Sequence, residues 1–256
     1  MSDILQGKVV VVTGASSGIG RAIAVGAAAH GAKAVIVADL GETPREGGAP
    51  TTAEIEELGG TARFVTTDVT RSDQVAALVD AATEFGGVDV MVCNAGITLP
   101  NDGADVAEDD FHRLMAVNLD GVLFGAQAAA RQMKELGKAG SIVLMASMGG
   151  IVGAGFTVAY STSKGGVVLM AKALADALGP DGIRVNAVAP GPIDTVLLRN
   201  TPAIGHAAEG FTKRTPLRRL GRPSEIGDAV AYLGSDLSSY VTGTALVVDG
   251  GLTSVI

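Results

Sequence analysis

A tyrosine and a lysine four residues apart, Tyr160 and Lys164, are the residues of this sequence best suited to acid and base chemistry. Positions four apart share one face of a helix, and the apolar periodicity up to Leu178 predicts a helix here. A phenol has a pKa of about 10. A cation about 4 Å away is worth up to ~4 kcal/mol at an effective dielectric of about 20, which lowers that pKa by about two to three pH units. The pair therefore predicts a phenol that exchanges protons near neutral pH.

A serine supplies a third polar group for the same chemistry. Ser147 follows the predicted strand Ser141–Ala146 and precedes Tyr160 by 13 residues. Its hydroxyl is suited to hydrogen-bond the substrate oxygen that Tyr160 protonates. The competing interpretation is a solvated helix face, because Tyr and Lys four apart occur on many helices. The rest of the chain must decide between the two.

The first element of that context is a glycine-rich loop between a strand and a helix. The run Lys8–Val12 leads through T-G-A-S-S-G-I-G into an Ala-rich helix at Arg21–His30. Gly14 permits a tight turn, Gly18 lets the backbone approach a pyrophosphate, and Gly20 lets the helix pack closely on the sheet. This G-x-x-x-G-x-G spacing predicts that the loop binds the phosphates of a dinucleotide.

An acidic residue ends the next predicted strand. Ala34–Ala38 is followed by Asp39, which lies 19 residues after Gly20, where a carboxylate reaches the adenosine ribose hydroxyls. A carboxylate repels the 2′-phosphate of NADP, and no Arg stands at Ser17 or Leu40 to offset it. Asp39 therefore favours NAD, although a strand-ending turn residue is the alternative interpretation.

Two further strand ends carry candidate cofactor contacts. The predicted strand Ala62–Thr66 is followed by Asp68, which is placed to face the adenine edge. The predicted strand Val88–Cys93 is followed by Asn94-Ala95-Gly96, a small-residue segment that allows close approach to a bound cofactor.

Asn118 lies midway along a long predicted helix, Glu108–Leu136, among Val, Leu and Ala. Asn is a poor helix former, so its presence in this apolar setting requires a reason. One interpretation is a satisfied core amide, and the other is a carbonyl that anchors a water molecule in a proton path.

The order of elements predicts one α/β domain over residues 1–256. Strands alternate with helices, which indicates a Rossmann fold with a seven-stranded, doubly wound parallel sheet and helices on both faces. An irregular stretch, Val196–Leu220, is placed where a substrate lid would lie, at about residues 194–220. The remaining predicted elements are helices Thr51–Leu58, Arg71–Phe85, Thr157–Leu178 and Pro223–Leu233 and strands Ile183–Ala189 and Ala245–Asp249.

The composition is typical of a packed α/β enzyme, with 47% hydrophobic residues, 18% charged residues and 36 Gly. A net charge of −8 argues against nucleic acid or an anionic membrane as partner. The single cysteine, Cys93, excludes a disulfide framework and a multi-Cys metal site, and no metal site is expected. Met1–Lys8 has no apolar signal core and no apolar run reaches the length of a membrane span, so a cytoplasmic location is expected.

Taken together, these motifs make the chain similar to the short-chain dehydrogenase/reductase superfamily over essentially its whole length. The family usually has Asn at the position of Cys93, and we expect this buried cysteine to be structural. The residues that carry the resemblance, in the family's order, are Thr13-Gly14-x-x-x-Gly18-Ile19-Gly20, Asp68, Asn94-Ala95-Gly96, Asn118, Ser147, Tyr160-x-x-x-Lys164, Asn186 and Pro190-Gly191-x-x-x-Thr195.

The resemblance implies hydride transfer between a nicotinamide and a carbonyl or secondary alcohol. It assigns proton transfer to Tyr160 and orientation of the substrate to Ser147. By the same resemblance, Lys164 lowers the phenol pKa and binds the nicotinamide ribose, and Asn118 holds a water molecule that links Lys164 to solvent. It also implies a homotetramer paired through the helices Glu108–Leu136 and Thr157–Leu178. The NAD contacts then expected are Gly14, Ser16, Ser17, Gly18, Ile19, Gly20, Asp39, Asp68, Val69, Asn94, Ala95, Gly96, Tyr160, Lys164, Pro190, Gly191, Ile193 and Thr195.

Three functions remain open at this point. The first is an NAD(H)-dependent secondary-alcohol dehydrogenase or ketone reductase for an apolar substrate. The second is a 3-oxoacyl-[acyl-carrier-protein] reductase, which Asp39 and the acidic net charge disfavour, whereas Arg131 and the basic residues of Lys213–Arg222 favour it. The third is a non-catalytic nucleotide-sensing protein. The expected substrate pocket consists of Ser147, Met148, Gly149, Ala154, Phe156, Pro192, Val196 and Leu197.

Overall fold

The computed structural model of the protein describes residues 3–100, 102–200 and 208–255, with the side chains of residues 197, 200, 208 and 209 outside the description. In this part of the chain seven strands form one sheet in the order β3-β2-β1-β4-β5-β6-β7, with every neighbouring pair parallel. The strands are β1 Val9–Thr13, β2 Ala34–Asp39, β3 Ala62–Thr66, β4 Val90–Cys93, β5 Gly140–Met145, β6 Ile183–Pro190 and β7 Ala245–Val248.

Alternate residues of the central strands enter different cores, which is why β1, β4 and β5 are mostly apolar. Val9 and Val11 of β1 belong to one core cluster, whereas Val10 and Val12 belong to the other. The predicted single-domain Rossmann-like fold is therefore confirmed, with a buried parallel sheet between two helical layers. The helices are α1 Gly18–Ala29, α2 Thr51–Glu57, α3 Ser72–Asp80, α4 Glu108–Met115, α5 Gly121–Glu135, α6 Val158–Leu178, α7 Val196–Asn200, α8 Ala208–Arg214 and α9 Pro223–Gly234.

The two layers differ in which helices they contain. α3, α5 and α6 supply residues such as Leu78, Val122 and Val167 to the first cluster, and α1 and α9 supply Ile23 and Ile226 to the second. All the strands run the same way, so their carboxyl ends meet at one edge of the sheet. The strand order reverses between β1 and β4, and a ligand crevice is expected at that edge.

Two predicted helices are interrupted. The predicted helix Glu108–Leu136 consists of α4 and α5 joined by a π-helical turn, Ala116–Asp120, that contains Asn118. The predicted helix Arg71–Phe85 is α-helical only as far as Asp80 and continues as a 3₁₀ turn. Hydrophobic periodicity does not distinguish these turn types, because over a single turn the three kinds of helix place apolar residues at nearly the same spacing.

The prediction of an irregular stretch at Val196–Leu220 was wrong for Val196–Asn200 and Ala208–Arg214, which are helical, whereas residues 215–220 are irregular. α7 begins directly after Thr195, whose hydroxyl oxygen accepts a hydrogen bond from Leu198 N at 3.3 Å and so caps the helix. α8 follows further along the chain. His206 lies outside the described residues.

No helix within the described ranges combines the length and the apolar character that a membrane span requires.

We predict that the thiol of Cys93 does not react in the native protein. The side chain is 2% exposed at the end of β4, and burial raises its pKa to about 12, so little thiolate forms at pH 8. An aromatic disulfide reagent should label less than one tenth of the protein in native buffer and one thiol per chain in denaturant. The variant Ser239→Cys, which adds an exposed thiol, should label rapidly under both conditions. Rapid native labelling of the unmodified protein would contradict the packing of β4.

Candidate active site

A cleft of about 460 Å³ opens at the carboxyl edge of the sheet. Ser147, Tyr160 and Lys164 all line it, and buried Asn118 lies behind its wall. Of the predicted cofactor contacts only Ser16, which is 2% exposed, does not line the cleft. Those that do are Gly14, Ser17, Gly18, Ile19, Gly20, Asp39, Asp68, Val69, Asn94, Ala95, Gly96, Tyr160, Lys164, Pro190, Gly191, Ile193 and Thr195.

The predicted substrate pocket occupies another part of the same cleft. Its described members are apolar or small apart from Ser147, which follows β5. The side chain of Leu197 lies outside the description, although its backbone belongs to α7. The predicted pocket residues that line the cleft are Ser147, Met148, Gly149, Ala154, Phe156, Pro192 and Val196.

Two consecutive structural elements position the candidate catalytic side chains. Ser147 caps the 3₁₀ turn Met148–Gly150, with its Oγ accepting a hydrogen bond from Gly149 N at 3.1 Å. Tyr160 lies in the first turn of α6, and Lys164 follows one turn later. Lys164 is 4% exposed, and its Nζ donates to the carbonyl oxygen of Met145, at the end of β5, at 2.8 Å.

Burial and hydrogen bonding act in opposite directions on the phenol. Burial raises the pKa of Tyr160, and a hydrogen bond with the Ser147 side chain lowers it. Burial also lowers the pKa of Lys164 to about 8. The sequence predicted that Lys164 lowers the phenol pKa, but that is not the effect found here. Nζ lies 5.7 Å from the centroid of the Tyr160 ring and donates instead to a backbone carbonyl.

Asn118 is a satisfied buried amide, as one of the two interpretations held. Its Oδ1 accepts from Ile97 N at 2.8 Å and its Nδ2 donates to Ile97 O at 2.9 Å. These two bonds join the π-helical turn to the segment that leaves β4. A Cβ added to Gly96 would lie 3.3 Å from Asn118 Oδ1 and 3.6 Å from Lys164 Nζ. Gly96 therefore leaves the space in front of Lys164 open.

The glycine-rich loop packs tightly against the exit of β4. Gly14 and Gly18 have positive φ angles of 65° and 57°, which L side chains rarely adopt. A Cβ on Gly20 would lie 2.0 Å from Gly14 O, so no side chain fits there. Asn94 Nδ2 donates to Thr13 O at 2.8 Å and fixes the loop from the other side. These contacts leave the amino end of α1 facing the cleft, a geometry that suits a pyrophosphate.

Asp39 makes the contacts of a strand-ending residue and also lines the cleft. Its Oδ1 accepts from Leu40 N at 2.8 Å, and its Oδ2 accepts from Ser16 N at 3.1 Å. A carboxylate accepts about four hydrogen bonds, so both oxygens retain capacity for a ribose hydroxyl. Asp68 likewise lines the cleft while its Oδ1 accepts from Thr70 N at 2.9 Å.

The loop between β2 and α2 brings two charged residues to the cleft that sequence analysis did not single out. Arg45 N donates to Ser17 Oγ at 2.8 Å, and Glu46 Oε1 accepts from Gly18 N at 2.9 Å. Both side chains line the cleft at the end that holds Asp39. In the sequence this segment is a Gly- and Pro-rich loop. No local pattern within it predicts that it folds onto the glycine-rich loop before α1.

Asp102 is a second residue that sequence analysis missed. It is 4% exposed, its Oδ1 accepts from Ala159 N at 2.6 Å, and its Oδ2 accepts from Tyr160 N at 2.9 Å. The N-cap residue of α6, Thr157, makes no side-chain cap to the helix, so Asp102 caps it from a distant part of the chain. Asp102 thus holds the backbone of Tyr160 directly.

The basic residues before α9 are mostly paired within the chain. Arg219 Nη2 and Arg222 Nη2 bond to Glu225 Oε1 at 2.6 Å and 3.2 Å, and these bonds help lower the pKa of Glu225 to about 2. Arg218 Nη1 donates to the carbonyl oxygen of Lys213. Arg214 is the member of this group that lines the cleft.

Comparison with known proteins places the chain among dehydrogenases. The family model described as enoyl-(acyl carrier protein) reductase matches residues 14–253. L-rhamnose 1-dehydrogenase (NAD(P)(+)) of Azotobacter vinelandii is 42% identical over 250 residues, which cover 97% of this chain and 98% of that protein. Cis-4-hydroxycyclohexanecarboxylate dehydrogenase of Sinomonas cyclohexanicum is 42% identical over 259 residues, which cover 100% of both chains.

A solved structure gives the same result. The crystal structure of a short-chain type dehydrogenase/reductase from Mycobacterium marinum superposes with a TM-score of 0.90 at 40% sequence identity. The match covers 98% of this chain and 97% of the other.

We predict that Tyr160→Phe lowers kcat by roughly 10²- to 10⁴-fold, the range for loss of a general acid, and leaves cofactor affinity largely intact. Initial rates and cofactor titration by fluorescence separate the two effects. Tyr240→Phe, at a fully exposed position, is the matched control and should behave like the unmodified protein. Full activity in Tyr160→Phe would assign proton transfer to another group.

Asp102→Ala should lower both stability and turnover. The variant leaves two buried N–H groups of α6 without an acceptor, which costs about 1 to 3 kcal/mol of unfolding free energy. Because Tyr160 N is one of these groups, kcat should fall at least several-fold in the folded variant, measured well below its melting temperature. Asp105→Ala removes a nearby exposed carboxylate and should change neither quantity. Loss of stability with unchanged kcat would limit Asp102 to a structural role.

Proposed function

This chain belongs to the short-chain dehydrogenase/reductase superfamily and is an NAD(P)-dependent oxidoreductase acting on CH–OH groups, and we propose that it prefers NAD and interconverts apolar secondary alcohols and ketones. The observation that carries this proposal is the meeting of Ser147, Tyr160 and Lys164 at one cleft beside Gly96. A general acid, an orienting hydroxyl and a cation are the groups that carbonyl reduction requires of a protein.

In the proposed mechanism each side chain has one task. Ser147 hydrogen-bonds the substrate oxygen, and Tyr160 gives that oxygen its proton in reduction or takes it in oxidation. Lys164 holds the nicotinamide ribose, and the hydrogen bond with the Ser147 side chain favours the ionised phenol once the proton has left. Asn118 keeps the π-helical turn beside Lys164, where the turn's backbone anchors a water molecule that returns the proton to solvent.

The nicotinamide supplies the hydride acceptor or donor of the reaction when it is bound. The amino end of α1 and the backbone of Gly18 and Ile19 hold the pyrophosphate. The backbone of Ile193 and the hydroxyl of Thr195 hold the carboxamide end. Gly96, which has no side chain, leaves space for the ribose next to Lys164.

NAD preference rests on Asp39. Its carboxylate lines the adenosine end of the cleft and retains lone pairs for the ribose hydroxyls. Arg45 lines the same end, so a 2′-phosphate would meet one carboxylate and one guanidinium. Repulsion by the Asp39 carboxylate is the effect that we propose to prevail.

The apolar substrate rests on the other half of the cleft. Phe156 and Val152 are 45% and 43% exposed and line this half of the cleft together, so they offer apolar surface that a hydrocarbon ligand would cover. The two relatives are named for L-rhamnose and for cis-4-hydroxycyclohexanecarboxylate. Both are free small molecules, which supports a free small molecule as the substrate here.

The competing functions have less support. A site for an acidic carrier protein would need free basic residues, but Arg219 and Arg222 are paired with Glu225. The interpretation as a non-catalytic nucleotide-sensing protein was wrong, because the relatives over the whole chain are dehydrogenases. A cytoplasmic homotetramer completes the proposal, and the exposed Leu169 on α6, at 62%, supports pairing of that helix.

Initial-rate oxidation of a panel of secondary alcohols, with NAD and NADP side by side, tests the proposal. We expect turnover of free alcohols with NAD, faster than with NADP, and no turnover of a 3-oxoacyl thioester with NADPH. The matched variant Asp39→Ala/Leu40→Arg exchanges the carboxylate for a cation at the ribose position. The variant should raise the ratio of kcat/KM with NADP to kcat/KM with NAD by about tenfold or more, because one charge-assisted hydrogen bond is worth about that factor.

Three outcomes would overturn parts of the proposal. Turnover of the thioester alone would make the enzyme a carrier-protein reductase. An unchanged cofactor ratio in the double variant would show that Asp39 does not touch the ribose. Turnover of polar polyols in preference to apolar alcohols would contradict the apolar substrate.

A further inference from the structure

The charged side chains that line the cleft are distributed unevenly along it. Asp39 ends β2, Arg45 and Glu46 follow it, and Asp68 follows β3, so all four lie at the adenosine end. β5, β6 and β7 are on the opposite side of the sheet centre, and the segments after them form the substrate half. In that half, among the described residues, the charged side chains lining the cleft are Lys164 and Arg214.

Lys164 is committed to the chemistry, but Arg214 is not. Lys164 is buried beside Tyr160 and donates to the end of β5. Arg214 lies in the last turn of α8, with an exposed side chain that reaches the cleft. It has no hydrogen bond or ion pair with any other described residue, whereas Arg218, Arg219 and Arg222 in the same segment each have one.

The position of Arg214 is fixed by the residue that follows it. Thr215 is 2% exposed, and its Oγ1 donates to Phe211 O at 2.8 Å. Leu217 N donates to Gly250 O at 3.2 Å, which fastens the segment to the turn after β7. Phe211 and Arg214 are three residues apart, so they share a face of α8, and both line the cleft. The backbone of Arg214 is therefore fixed at the edge of the cleft by a packed anchor.

The surroundings of Arg214 in this half are apolar. The walls of this half are formed by apolar side chains, namely Phe156 and Val152 after β5 and Val196, Leu198 and Phe211 on α7 and α8. A substrate matched to these walls has a hydrocarbon frame. A single guanidinium at the edge of such walls is matched by one planar anion, which it binds through two parallel hydrogen bonds.

We propose that the substrate is a hydroxy acid or the corresponding keto acid, with the alcohol carbon at Tyr160 and a carboxylate paired with Arg214. The proposal rests on the function proposed above. In oxidation the alcohol loses a hydride to the nicotinamide and a proton to Tyr160, and the carboxylate is unchanged. A carboxylate is favoured over a phosphate because Lys164, the other described cation of this half, donates to Met145 O, so a single planar guanidinium remains for the anion.

Matched substrates test the proposal. A series of straight-chain acids with a secondary hydroxyl one carbon from the far end is compared with the methyl esters of the same acids, using NAD. We expect the acid to be preferred, with an optimum chain length set by the distance from Tyr160 to Arg214. In Arg214→Gln the ratio of kcat/KM for acid to that for ester should fall about 10- to 100-fold, mainly through KM. Arg214→Lys should retain part of the preference.

Two controls make the result decisive. Arg63→Gln removes the same charge from an exposed position on β3 and should leave the acid-to-ester ratio unchanged. A hydroxyalkyl phosphate of the best chain length distinguishes a carboxylate site from a general anion site. The preference of the unmodified enzyme for the acid should also weaken as salt concentration rises.

The possible failures are separable. If no alcohol or ketone is turned over, the proposed function fails. If neutral alcohols are turned over, but the ratio is near one and Arg214→Gln does not change it, only the hydroxy acid proposal is overturned. Better turnover of the phosphate than of the acid would also overturn it.

Discussion

The burial of one cation constrains the arrangement of the active site. Lys164 is 4% exposed, and burial lowers its pKa to about 8. Burying an ammonium group costs on the order of several kcal/mol unless oxygen atoms accept hydrogen bonds from it. The carbonyl oxygen of Met145, at the end of β5, accepts one such bond from Lys164 Nζ at 2.8 Å. This bond sets the height of α6 against the sheet, and Tyr160, one turn earlier on the helix, is placed by the same bond.

The sheet provides the frame for that contact. Its central strands are buried on both faces by two separate clusters, so the helices on either side hold the strand ends in place. At the edge, polar side chains join neighbouring segments. Thr13 and Asn94 join the glycine loop to the exit of β4, and Asn118 joins that exit to the π-helical turn. Asp102 then attaches the segment before α4 to the start of α6. The cleft is therefore built from cross-links between loops that are far apart in sequence.

These cross-links explain which features the sequence predicts. Strands such as Val9–Thr13 are short β-branched or apolar runs bounded by turn residues, so their positions follow from local pattern. The glycine loop and the Tyr160 pair are also local, since spacing along one element brings them to one face. Asp102 and Glu46 contact the site through folds of the chain that no local pattern encodes. The direction of the Tyr160 pKa shift depends on burial, which is a property of the whole packing and not of the neighbouring lysine.

The contact between Glu46 and the amino end of α1 has a consequence for how anions bind there. Gly18 N already donates to the Glu46 carboxylate at 2.9 Å. A phosphate that takes this amide must release the carboxylate to water, so binding is an exchange of one anion for another. The affinity of such a ligand is then a difference between two similar interactions. The electrostatic contribution to the binding of such a ligand is correspondingly small. The segment that carries Glu46 must also move as the exchange takes place.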